Sequence, residues 1–172
     1  MNPLETRRRE DLARVRALCE RSDGRLAFVS ADAEAPSEVR LRARLRVALD
    51  PSYPASAGDA LALRIAIPQG YPFRDGPRTF VSPVVWHPNV FADGQICQGR
   101  TWRVSEFLDL YVQRMLRILT YQDDGVNLSS VANPTAAAWF RGARARAPQA
   151  FPTDAADVAR ASGRRVGWRD AR

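Results

Sequence analysis

The chain has 172 residues, 45% of them apolar, and a formal net charge of +7. That length suits one core of ordinary single-domain size and is short for two. No stretch approaches the roughly 18 uninterrupted apolar residues of a membrane span, and the charges scattered through MNPLETRRREDLARVRALCE interrupt any signal-peptide apolar run. Two cysteines, Cys19 and Cys97, and a single histidine, His87, argue against a disulfide framework or a His/Cys metal cluster. The expectation is one domain over residues 1–172 with its core at about 5–150, cytoplasmic and without metal or cofactor. All 26 basic residues are arginine, so no side chain offers an amine for acylation.

Residues 4–20 place Leu4, Leu12, Val15 and Leu18 on one helical stripe opposite Arg7, Arg8, Arg9, Arg14 and Arg16, which predicts an amphipathic helix stopped by Ser22-Asp23-Gly24. Leu26 to Val29 reads as a short strand. From Val39 to Leu49 the period changes to two, with Val39, Leu41, Ala43, Leu45, Val47 and Leu49 alternating with Arg40, Arg42, Arg44 and Arg46. This predicts one long strand with a buried face and an arginine-lined face. Residues 61–67, LALRIAI, repeat the alternation after a turn-rich link. Thr79 to Val85 reads as a fourth strand that Pro83 ends or confines to an edge. Short links between these strands predict an antiparallel meander.

Beyond Cys97 the spacing turns helical. Ser105 is the expected cap for a buried helix carrying Phe107, Leu108, Tyr111, Val112, Met115, Leu116 and Leu119, closed by Asp123-Asp124-Gly125. Asn133-Pro134 begins a further helix that runs to Arg146, with Asn as cap and Pro at the first position. Pro148 and Pro152 interrupt the chain before a last candidate helix at Asp154 to Ser162, with 151–172 read as a C-terminal helix or tail. The fold class expected from this order is α+β.

The segment HPNVFADGQICQG, 87–99, concentrates the histidine and one of the cysteines. It follows YPFRDGP at 71–77 and FVSPVVWHPNV at 80–90, contains GQIC at 94–97, and precedes Trp102 and NPTAAAWF at 133–140. Together these motifs resemble the ubiquitin-conjugating enzymes, which carry ubiquitin or a ubiquitin-like protein as a cysteine thioester, with Cys97 eight residues after Asn89 as in the family. The resemblance covers about residues 5–150 and points to a divergent member, with a bacterial ubiquitin-like system as one expectation. It implies the family's fold of an N-terminal helix, a four-stranded meander and C-terminal helices.

The same resemblance assigns roles. Cys97 would be the nucleophile that holds the acyl group, whereas Cys19, on the leucine-striped helix, reads as structural. Asn89 would stabilise the oxyanion formed when an amine attacks, an effect of roughly 3 kcal/mol, or shape the neighbouring loop. His87, Pro88 and Trp102 read as structural residues near the site. Many relatives place an aspartate between the two helices after the cysteine. Here Ser130 falls at that place and Asp124 lies earlier in a shortened loop, so both are candidates. The stretch from Cys97 to Trp102 is also shorter than usual.

Arg7, Arg8 and Arg14 on the N-terminal helix, which meets the activating enzyme in the family, and Arg40, Arg42 and Arg44 on the strand are candidate partner-binding residues; each group also reads as a solvated face. The implied partners are an activating enzyme, a ubiquitin-like modifier and an acceptor protein. Nucleic acid is disfavoured because no aromatic residues interleave with the arginines, and no membrane partner is indicated. Two rival readings are a noncatalytic binding module of the same fold and a cysteine hydrolase pairing Cys97 with His87.

Overall fold

The computed structural model describes residues 2–99 and 101–158. Helix α1 spans Pro3–Glu20. Asn2 caps it by accepting from the Leu4 backbone N–H at 3.0 Å, and Pro3 sits in the first turn, where its missing donor costs nothing. Its stripe of Leu12, Val15 and Leu18 is buried.

Four strands follow in an antiparallel sheet: β1 (Leu26–Ala31), β2 (Glu38–Ala43), β5 (Leu61–Ala66) and β6 (Arg78–Ser82), in the order β1-β2-β5-β6. The two short strands β3 (Val47–Ala48) and β4 (Ala57–Gly58) form a separate antiparallel pair inside the β2–β5 link. Register places Leu41 between Phe28 and Leu63, and Leu63 opposite Val81, so one face is a continuous apolar layer. The other face carries Arg40 opposite Arg64, with Phe80 beyond. An irregularity between Phe28 and Ser30 leaves Val29 as the extra residue of β1.

The long strand expected over 39–49 is two pieces. Burial keeps alternating through Arg44, Leu45 and Arg46, but their N–H groups leave the ladder. Arg44 donates to the Arg25 carbonyl, Leu45 to that of Asp59 and Arg46 to the Asp154 carboxylate. Period two reports which face is buried; it does not report which chain supplies the hydrogen bonds. The expected fourth strand stops at Ser82, where Pro83 has no N–H to give, and it forms the sheet edge.

Helix α2 spans Leu108–Leu119 and lies in the same apolar cluster as α1 and the inner sheet face, with Tyr111, Val112, Met115, Leu116 and Leu119 buried. Its cap is not Ser105. Phe107 holds the N-cap position without a side-chain bond, and the Leu108 N–H donates at 2.8 Å to Asp11, a buried carboxylate from the middle of α1. Helix α3 spans Pro134–Arg146, capped by Asn133 through the Ala136 N–H at 3.0 Å. It packs in a second cluster of Ala48, Tyr121 and Phe140 with Trp86, Trp139 and Phe151 around them.

The helix expected at 154–162 is absent from its described part. Asp154 instead accepts from the Arg46 N–H at 2.8 Å and from Arg25 at 2.9 Å, spanning the break after β2, and residues 159–162 lie outside the described residues. The architecture is α+β, as the order of elements predicts. Among the described residues no helix is long and apolar enough to cross a membrane.

Candidate active site

His87, Pro88 and Asn89 form a clasp in which each residue holds a different segment. The His87 Nδ1 accepts from the Asn89 N–H at 2.9 Å, and its ring lies against Tyr121 with centroids 4.2 Å apart. The Pro88 carbonyl accepts from the Ala132 and Asn133 N–H groups at 2.8 and 3.0 Å, fixing the entry to α3. The Asn89 side chain donates through Nδ2 to the carbonyls of Asn127 at 2.8 Å and Ser130 at 3.1 Å, and its Oδ1 accepts from the Asn127 N–H at 2.9 Å. Its backbone carbonyl accepts from the Cys97 N–H at 2.8 Å. One tripeptide therefore ties the cysteine to the loop that faces it.

His87 is 0% exposed, and burial pushes its pKa down to about 3, opposed by the backbone of Ile118. The folded protein keeps this ring neutral where the unfolded chain binds a proton. Stability should therefore be fully present above the unfolded pKa near 6.5 and fall as pH drops below it. Because His87 is the chain's one histidine, we expect unfolding free energy to drop by about 2 kcal/mol between pH 7 and pH 5. Urea titrations at both pH values check this. A flat profile over that interval would rule out a buried neutral ring.

Cys97 follows a tight turn in which Phe91 N–H donates to the Gln95 carbonyl and Gly94 N–H to that of Phe91, both at 2.9 Å, and which is tied to β6 by Val81 N–H to Gly94 and Ile96 N–H to Thr79, both at 2.9 Å. Gly94 has a φ of +84°, and a Cβ there would stand 2.5 Å from the Val81 carbonyl oxygen, so only glycine fits this approach. The thiol is half-buried and free. It lies where two grooves meet. One, of about 450 Å³, has Arg114, Arg117, Asp124, Asn127 and Ser129 on its walls; the other, of about 580 Å³, has Asp75, Arg78, Phe91, Trp102 and Ser130. Cys19 is half-buried against the core, and burial raises its thiol to about 11, which leaves it protonated.

The structure brings Asp124 and Ser130 to opposite grooves. Arg117 holds Asp124 in a forked ion pair, with bonds of 2.6 and 2.9 Å, and keeps its carboxyl below the ordinary range. Such a carboxylate stays ionised and is a weak proton acceptor while Arg117 remains. Ser130 is exposed and donates its backbone N–H to the Asn127 side chain at 3.2 Å. Trp102 donates its indole N–H to the Pro72 carbonyl at 2.9 Å and packs on Tyr71 and Tyr111, joining the YPF segment to the chain beyond the cysteine.

Three residues of this site escaped the sequence reading. Arg114 forks onto Glu106 at 3.0 Å and donates to the Gln98 carbonyl at 3.3 Å, bracing the residue after the cysteine. Asp75 supplies a second carboxylate within reach of the grooves. Asn127 lines the first groove together with Cys97. Arg114 shares its helix with Asp109, Gln113 and Arg117, and Asn127 lies between Val126 and Leu128, so neither carried a distinguishing signal in the sequence.

No family model matches the chain. Two curated proteins do, both described as ubiquitin-conjugating enzyme E2 and both from African swine fever virus. One, from the Badajoz strain, is 30% identical over 49% of this chain and 42% of its own length. The other, from a Kenyan pig isolate, is 26% identical over 49% of this chain and 41% of its own. Over about half its length, this chain is similar to ubiquitin-conjugating enzymes at the level of a divergent member. It spans about two fifths of the length of these curated relatives. The helix, four-stranded sheet and following helices have the arrangement of the conjugating-enzyme fold.

On that fold the candidate docking arginines divide. Arg7 is turned inward: it pairs with Asp11 at 2.9 Å, donates to the carbonyls of Val104 and Glu106, and lies over the Phe107 ring. Arg8 donates to the Pro68 carbonyl at 2.7 Å. Both guanidiniums, partly buried, are engaged by the chain's own carbonyls. Arg14 stays exposed, paired with Glu10 at 2.9 Å and stacked 3.7 Å from the Phe107 centroid. Arg40, Arg42 and Arg44 are exposed, and Arg40 pairs with Glu38 at 2.7 Å.

Proposed function

We propose that this chain is a conjugating enzyme that carries a ubiquitin-like modifier on Cys97. The Cys97 thiolate attacks the thioester carbonyl on an activating enzyme; a new C–S bond forms, and the activating enzyme's sulfur leaves as thiolate. An acceptor amine then attacks the Cys97 thioester, an amide bond forms, Cys97 leaves as thiolate, and the amine's proton passes to solvent or a nearby carboxylate. The observation that carries this reading is a half-buried thiol where two grooves meet, on a residue whose backbone N–H donates to the Asn89 carbonyl of the clasp.

Incubation with an activating enzyme, ATP and a ubiquitin-like modifier is expected to give an adduct that thiols reverse and that disappears in Cys97→Ala. A binding module would form no adduct. A hydrolase would cleave a conjugate, but His87, sealed beneath Tyr121 with Nδ1 already occupied, is poorly placed to serve as its base. Activating-enzyme contact through α1 falls to Arg14 and its exposed neighbours Arg9 and Arg16. The outer sheet face, with Arg40, Arg42 and Arg44, is left for noncovalent contact with a modifier. The absence of lysine protects a charged carrier from acylating its own side-chain amines. A charged, acceptor-free preparation should accumulate little thiol-stable self-conjugate by gel, and abundant self-conjugate would count against that protective role.

A further inference from the structure

We propose that Asn127, rather than Asn89, supplies the amide donor to the oxyanion on the Cys97 thioester; this rests on the reading of Cys97 as the acyl carrier. A side-chain amide has two N–H bonds. Both of those on Asn89 are taken by the carbonyls of Asn127 and Ser130, so its stabilising work is spent on the loop.

Asn127 has the opposite balance. Its Oδ1 accepts from the Ser129 N–H at 3.0 Å, the Ser129 hydroxyl at 2.7 Å and the Ser130 N–H at 3.2 Å. Two backbone donors on one oxygen settle which end of the amide is which. Nδ2 then points away from the turn, with no hydrogen-bond partner among the described residues. It lies over the segment that follows the thiol: a Cβ added to Gly99 would come within 3.3 Å of Nδ2. Cys97 and Asn127 line the same groove.

The pieces form an oriented donor whose rotamer is locked before the acyl group arrives. Asn89 clamps the Asn127 backbone at both N–H and C=O, the serine turn clamps its side-chain oxygen, and the remaining N–H bonds are presented to the groove. When an amine attacks, the N–C bond forms and the carbonyl π pair moves onto oxygen. Asn127 donates to that oxygen until the C–S bond breaks and Cys97 leaves as thiolate. A donor that needs no rearrangement at that moment is the arrangement that lowers the barrier.

The test uses a small acyl probe that needs no activating enzyme, the mercaptoethanesulfonate thioester of acetyl-glycylglycine. Excess probe exchanges onto Cys97, mass spectrometry locates the adduct, and after desalting the charged protein is mixed with free lysine. Asn127→Asp keeps an oxygen for the three serine-turn donors and removes the N–H bonds. It should load to the wild-type extent and melt at the wild-type temperature. Its discharge to lysine should be at least about tenfold slower, short of the roughly hundredfold loss at a closed oxyanion site because this groove is open to water. Asn127→Ser, whose hydroxyl can accept from the turn but is too short to cross the groove, should show the same slow discharge and guards against a folding defect in the aspartate variant. Discharge of both variants within about twofold of wild type overturns the proposal while leaving the carrier reading intact. Failure of the wild type to load at Cys97 overturns both.

Discussion

Asp11→Ala should cost about 3–5 kcal/mol of folding stability, the range seen when one partner of a buried charge pair is removed. Asp11 is 0% exposed and accepts from the Arg7 Nε at 2.9 Å, the Tyr71 hydroxyl at 2.6 Å and the Leu108 N–H at 2.8 Å. Alanine leaves a partly buried guanidinium, a buried phenol and the first N–H of α2 without that acceptor, and water reaches them poorly. Asp11→Asn retains one acceptor oxygen and should lose about half as much, because a single carbonyl serves at most two of the three donors. Urea unfolding of the three proteins reads the difference. A loss below about 1 kcal/mol for the alanine variant would mean that the cluster is hydrated and that α2 is capped by other means. The consequence reaches the site, because α2 carries Arg114, which braces Gln98, and Arg117, which holds Asp124.

Asn89→Ala should cost about 2–4 kcal/mol, from three lost hydrogen bonds of which two leave carbonyls and one leaves an N–H unpaired in a half-buried loop. Hydrogen exchange at the Asn127 amide, bonded to Asn89 Oδ1 in the folded protein, should accelerate sharply in the variant. Acyl discharge should fall as well, because the loop that aims Asn127 loses its tether. The combination is diagnostic: Asn89→Ala loses stability and rate together, whereas Asn127→Asp loses rate alone. An Asn89→Ala protein with wild-type melting and protection but slow discharge would return the donor role to Asn89. Asn89→Asp should be at least as damaging as alanine, since it sets a carboxylate oxygen against the two carbonyls that Nδ2 now serves.

The expectations that held were those written in local periodicity and in end signals. The 3.6-residue stripes of α1 and α2, the two-residue alternation of β2 and β5, and the Asn133-Pro134 start of α3 each require only neighbours in the chain to be legible. Ser105 looked like a cap because its type and place were right. The N–H of Leu108 found a carboxylate 97 residues away, and no local rule reaches that far. Arg7 and Arg8 looked like surface charge because their sequence neighbours are charged, yet folding brings backbone carbonyls of distant turns within reach of both. The strand over 39–49 failed for a related reason, since alternation encodes a face and the pairing partner arrives from Asp59 and Asp154.

What the amino-acid sequence determined alone was the element order, the buried faces, the resemblance carried by the spaced motifs, and the choice of Cys97 as the candidate thiol. These are properties of spacing along one chain. Which groups meet across that thiol was decided only by tertiary structure: that both N–H bonds of Asn89 are consumed, that Arg117 occupies Asp124, and that Asn127 is left with an oriented donor over Gly99. The physical reason is that a hydrogen-bonding group has few donors and acceptors to distribute. Where each is spent depends on every competing partner in the folded protein, and those partners lie anywhere from 7 residues away, as Asp124 does from Arg117, to 97, as Leu108 does from Asp11.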